Sequence, residues 1–203
     1  MPEDQASGIE DYVAVCPVTP DLVRAIVELA DLSWDDPKAT DQAMRELGWQ
    51  DEDMPTGDGR FVTDLGHVVH GDTCFSMPFS QSYQVGGEVW GYDAWGSLPG
   101  WSSRAGAGRG QFDAHVDAAI GRFAERLGPP ERDVRTGGSA VSTGSYSWRY
   151  AAWRRDGNIL VIGQTFEGFS YSQFEEAVVY IGALAADAPL PTAAEFPDFM
   201  ICR

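Results

Sequence analysis

Along the chain the apolar positions switch between a helical and an extended period, and that switching lays out the elements. Residues 11–15 alternate as a short strand. Leu22, Ile26, Leu29 and Ala30 then share one stripe at helical spacing, behind a Thr19 cap and a Pro20 suited to the first turn. Asp36-Pro37 repeats that start signal ahead of Ala39, Ala43, Met44 and Leu47, with Gly48 as the stop. After a loop over 50–59 dense in Asp, Glu, Pro and Gly, residues 61–69, 73–79 and 83–90 read as strands. Phe112, Val116, Ile120, Phe123 and Leu127 lie on one face of a longer helix, which Gly128-Pro129-Pro130 ends. Residues 148–155 and 159–166 flank Asp156-Gly157 as a hairpin, because a type I′ turn needs two residues that tolerate positive φ. A last helix is expected from Ser172, whose spacing to Glu175 fits a capping box, through Phe174, Val178, Ile181 and Leu184.

The order is helices, strands, helix, hairpin, helix. Strands do not alternate regularly with helices, so the expected class is α+β: an antiparallel sheet with helices packed mainly on one face. At 203 residues one domain is expected, with a loose start over 1–10, a long Gly/Trp-rich loop over 86–110 and a C-terminal tail over 187–203.

Composition changes the picture mainly through charge. Fourteen basic residues face 31 acidic ones, for a net charge of −17, which makes binding to nucleic acid or to an anionic membrane surface improbable. The same field attracts basic proteins. Lys38 is the only lysine and Asn158 the only asparagine, a bias that fits a GC-rich genome. Cys16, Cys74 and Cys202 are widely spaced and odd in number, so no disulfide framework follows from them. The polar N-terminus lacks the pattern of a signal peptide, and no apolar run nears the roughly 18 residues of a membrane span, so the expected place is a reduced cytoplasm.

Catalytic and cofactor signals are thin. Asp64, His67, His70, Asp72 and Cys74 have the residue types of a zinc site, but on a strand His67 and His70 point to opposite faces. Solvated or hydrogen-bonded histidines at a sheet edge are the expectation, with no metal. Residues 106–110 place glycines before a helix, yet the P-loop Lys and Ser/Thr are missing and Asp113 and Asp117 put negative charge where phosphate would sit. No Gly-x-Ser-x-Gly elbow occurs, although Cys74 and His115 could meet in space. The expected role is therefore binding rather than catalysis, with no cofactor.

Two sets of residues are candidates for that role. Asp51, Glu52, Asp53 and Asp58, with Asp35, Asp36 and Asp41 nearby, concentrate negative charge around the first helical pair. Trp49 beside them is the expected apolar anchor for a partner, while Trp34 and Trp49, closing the two helices, also read as anchors of that pair to the core. Trp90, Tyr92, Trp95 and Trp101 interleave with glycines, and could serve as stacking platforms for a carbohydrate or another small molecule, or as a lid over the sheet.

Several short motifs carry a family likeness. Leu47-Gly48-Trp49 ends a helix before an acidic loop, and Leu127-Gly128-Pro129-Pro130 ends another. Trp148-Arg149 opens a strand that turns at Asp156-Gly157 into Ile159-Leu160-Val161-Ile162. Over about residues 20–185 this resembles small actinobacterial proteins of unknown function, some of which look like immunity proteins of polymorphic-toxin systems. The likeness implies a protein that occupies a toxin's active site or an adjacent exosite. If the toxin is a nuclease, its phosphate-binding site is basic, and an acidic inhibitor is steered to it.

Overall fold

The computed structural model describes residues 8–52, 59–86, 92–136, 147–166 and 174–200. In chain order these form β1 (Glu10–Val15), α1 (Pro20–Ala30), α2 (Pro37–Glu46), β2 (Gln50–Asp51), β3 (Gly59–Val62), β4 (Val68–His70), β5 (Phe75–Val85), β6 (Ser102–Ala105), α3 (Arg109–Leu127), β7 (Arg132–Arg135), β8 (Arg149–Arg155), β9 (Asn158–Phe166), β10 (Glu175–Ala183) and the short α4 (Phe196–Phe199). All ten strands belong to one antiparallel sheet, so the expected α+β class holds.

Local signals work where the sequence placed them. Thr19 Oγ1 accepts from the Leu22 N–H at 3.2 Å, and Asp36 Oδ1 from the Lys38 N–H at 3.1 Å, so each helix opens on a side-chain cap followed by proline. Asp156 and Gly157 take φ of 34° and 95°, and the hairpin they close pairs in unbroken register from Arg155–Asn158 to Tyr150–Gly163. Asn158 then ties the hairpin to the end of α1, its Nδ2 donating to the carbonyls of Ala30 (2.9 Å) and Leu32 (2.6 Å).

Several elements differ from expectation. The segment expected as the last helix is β10, a central strand between β5 and β9. Its run Ala177–Gly182 is buried on both faces, and Val178, Val179, Tyr180 and Ile181 suit a pleated surface better than a helix needing one polar side. Ser172, the expected cap, lies outside the described residues. Residues 61–69 are two short strands around a turn at Asp64–Gly66, where Gly66 has φ +93°. The two strands expected on either side of residues 80–82 merge into the long β5. Within the expected 86–110 loop, β6 pairs with β1, and α3 starts at Arg109 rather than near Phe112. β7, directly after Pro130, was not anticipated and pairs with β8.

Helices α1, α2 and α3 cover one face of the sheet. Phe75, Met77, Trp153, Leu160, Ile162, Val179 and Ile181 point into that layer and meet Ile26, Leu29, Phe112, Val116 and Phe123. On the other face Tyr150, Val161, Val178 and Tyr180 lie under the C-terminal segment, where the Phe196 ring stacks on Tyr150 at 4.8 Å and Met200 closes the cluster. Residues 92–101 cover the remainder of that face around Tyr83. Among the described residues no helix is long and apolar enough to cross a membrane.

Candidate functional site in the fork of the sheet

β5 is longer than any of its partners, and its outer edge is shared between two branches. Its first part pairs with β4 at Ser76, followed outward by β3 and β2. Its second part pairs with β1 from Ser80 onward, followed by β6. The change of neighbour falls at Pro78-Phe79, opposite a register shift between Ala177 and Val178 on β10. A proline lacks the ladder donor and a bulge twists the strand, so the edge parts there.

A buried network fills the crotch of this fork. His67 is fully buried, and its Nε2 lies 3.3 Å from the Cys16 carbonyl while Nδ1 lies 3.2 Å from Thr63 Oγ1. A carbonyl can only accept, so Nε2 carries the proton and Nδ1 accepts from the Thr63 hydroxyl. Burial pushes the His67 pKa down to about 4, against weaker support from Cys16 and Asp64. The ring is neutral at pH 7 and bridges the two branches. The Cys16 thiol donates to the Leu65 carbonyl at 3.1 Å, and burial raises its pKa to about 12.

The cleft opens in front of this network. It holds about 310 Å³ and is lined by Gly48, Gln50, Val62, Thr63, Asp64, Leu65, Gly66, Pro99 and Gly100. Backbone clasps make it rigid: a Cβ on Gly66 would collide with the Pro99 carbonyl, and one on Gly100 with the Leu65 carbonyl, at φ of +93° and +80°. Trp101 Nε1 donates to the Gly66 carbonyl at 3.0 Å, which pins the 92–101 segment over the turn. Asp93 anchors the other end of that segment, accepting from Tyr83, Ser103 and the Gly96 N–H. Burial disfavours its charge, but those donors outweigh burial and hold its pKa below the ordinary carboxylate value.

Among the described residues, none from the two candidate sets lines this cleft; chain neighbours of two of them do. Trp49 stands between the lining residues Gly48 and Gln50, and Trp101 follows Gly100. Their individual roles change. Trp49 is only 6% exposed and packs against Phe75 with ring centroids 6.2 Å apart, so its ring belongs to the core and is not presented to a partner. Asp51 pairs with Phe61 on the helical side, where Arg45 binds it at 2.7 Å and lowers its pKa. Glu52 has no basic partner among the described residues, and its Oε2 is shielded from water without a hydrogen bond. Asp53, Asp58 and Trp90 lie outside the described residues. Trp95 and Trp101 pack against each other with ring centroids 4.9 Å apart and planes tilted by 46°, and Trp101 is buried, while Tyr92 is 64% exposed.

Sequence reasoning missed Leu47 and Leu98, which are 38% and 40% exposed and adjoin the lining residues Gly48 and Pro99. Nothing local marks them; their chain neighbours meet only in the folded cleft. Among the described residues no His, Cys, Asp and Glu group has the geometry to hold a metal. Asp64 and Asp72 are exposed, His67 is inside the fork, and Cys74 is disulfide-bonded, a pairing that the spacing of the three cysteines did not mark. Cys74 packs on the face away from the helices and so does not meet His115, which instead sits 3.0 Å from Ser80 Oγ. Ser80 is fully buried and donates to the Ala14 carbonyl at 2.8 Å, a structural arrangement rather than an exposed nucleophile. At the start of α3, Arg109 binds both Asp113 and Glu175, so the cation beside the glycine-rich run is already matched by the protein's own carboxylates.

The class that fold and site define is an acidic α+β protein with a rigid, shallow cleft in a forked sheet. Comparison with protein-family models, with curated proteins and with solved structures finds no match.

Proposed function

We propose that the protein is an acidic binding protein that recognises and neutralises a basic protein partner, in the manner of an immunity protein against a toxin. One observation carries the reading: eight of the fourteen basic residues are engaged by the protein's own acids. Arg24, Arg45, Arg60, Arg109, Arg135, Arg149, Arg154 and Arg155 each form an internal ion pair. Against a net charge of −17, this leaves exposed acids such as Glu28, Asp35, Asp64 and Asp72 without basic partners among the described residues. Residues 28–64 alone carry eleven acids against three bases. Such a surface steers a cationic protein and raises its association rate, more so at low salt.

The test is affinity capture of the tagged protein from its native lysate at low and then moderate salt. A single stoichiometric, basic, toxin-sized partner that elutes as salt rises, and whose activity the pure protein suppresses, supports the reading. Capture of nothing, or of a partner indifferent to salt, counts against it. Binding of a small ligand through the aromatic segment has the exposed Tyr92 in its favour, but Trp101 is buried and Trp95 packs against it. Compartment is a separate matter. Disulfides persist where the environment is oxidising, so the bonded Cys74 weighs against the reduced cytoplasm expected from sequence. Non-reducing peptide mapping of the protein from its own host tells the two apart.

A further inference from the structure

We infer that the fork cleft receives one arginine or lysine side chain projecting from the partner, so that this cleft, and not the acidic surface at large, sets where the partner docks. This rests on the basic-partner reading above and gives it a place. The cleft's roughly 310 Å³ is at the small end for a ligand pocket and suits a single long side chain. Val62, Leu65 and Pro99 offer apolar wall to an aliphatic stem, while Gln50, Thr63 and Asp64 offer polar groups to a cationic head. No basic side chain lines it.

Glu52 adds an independent reason. Glu52 stands beside the lining and not in it: strand alternation places Gln50 on the cleft side and Asp51 on the helical side, and Glu52, whose N–H donates to the Arg60 carbonyl, returns to the side of Gln50. A carboxylate oxygen withdrawn from water with no donor is unfavourable alone and strongly favourable once a cationic N–H reaches it. Leu47 and Leu98 are two of the four large apolar side chains exposed among the described residues, and each is the chain neighbour of a lining residue, Gly48 and Pro99. An apolar rim that excludes water around a charged contact is the arrangement of an interface hot spot. The Gly66 and Gly100 clasps leave little to be ordered on binding.

The probe is a nona-arginine peptide, titrated into ¹⁵N-labelled full-length protein at physiological salt and followed by amide shifts. Shifts are expected to centre on residues 48–52, 62–66 and 100–101. The double substitution Glu52→Gln/Asp64→Asn should weaken binding about tenfold, and Glu28→Gln/Asp187→Asn, an equal loss of charge elsewhere, less than about twofold. Shifts centred on another acidic surface, or equal weakening by both pairs, would overturn the cleft and leave the basic-partner reading standing. No binding even at low salt would overturn both. Should the Glu52/Asp64 variant lose its native spectrum, the wild-type shift map alone decides.

Discussion

Each arginine of β8 is tied down: Arg149 to Asp117 and Asp133, Arg154 to Glu131, and Arg155 to Asp31. Across the sheet, in the fork, Asp64 and Glu52 have no basic partner among the described residues, and Leu47 and Leu98 stand exposed at the rim. The first region has full-length ladders between β8, β9 and β10, with apolar clusters on both faces. The second has short strands, a divided edge and a cleft. The contrast teaches that stability and recognition are carried by different parts of one sheet. Where charges are mutually satisfied the surface has little left to offer a partner; where the edge splits, apolar and acidic groups remain available.

The largest effect should come from breaking the closed half. Ile162→Ala opens a cavity at a fully buried position of β9 and is expected to cost about 2–5 kcal/mol, whereas Leu47→Ala at the fork rim should stay within about 0.5 kcal/mol. Denaturant unfolding of the two variants checks this, and equal losses would erase the contrast.

Acid should next find the fork's weak point. The folded His67 pKa of about 4 is below the unfolded value near 6.5, so between those values the unfolded chain binds more protons. Stability contributed by the neutral ring is whole above pH 6.5 and falls as pH drops towards 4, by about 3 kcal/mol from this group. Burial lowers the His115 pKa too, which acts in the same direction. His67→Gln should flatten the fall in denaturant midpoint between pH 6.5 and 4; an unaltered slope would show that His67 does not carry it.

A smaller effect sharpens the assignment of acids. Asp51 is already engaged by Arg45, so Asp51→Asn is expected to change partner affinity less than about twofold, while Glu52→Gln lowers it more. Calorimetric titration with the captured partner ranks the two, and the reverse order would return the contact to the helical side.

Much of this architecture could be read from sequence, where the determinant was local. Thr19-Pro20, Asp36-Pro37 and Asp156-Gly157 each fix backbone angles within a few residues, and each does so in the fold. β10 misled because Val178, Ile181 and Leu184 match helical spacing, while the cue for a central strand, burial on both faces, exists only once β5 and β9 flank it. The site was half legible. The acids and tryptophans stand out by composition, and burial decides between the readings open to Trp49 and Trp101: both belong to the core rather than to a contact surface. The fork depends on β5 changing neighbours at Pro78, a long-range event that no window of sequence displays. His67 shows the same limit: a hydrogen-bonded histidine was expected, but its full burial as a strut between the two branches follows only from the fork.

The most direct measurement is the association rate with the captured partner, by stopped flow across a salt series, for two charge-reversed pairs. Glu52→Lys/Asp64→Lys is expected to slow association about tenfold and flatten its salt dependence, while Glu28→Lys/Asp187→Lys has a lesser effect. Equal slowing by both pairs would contradict the account, because it would mean that net charge alone, and not the fork, directs the encounter.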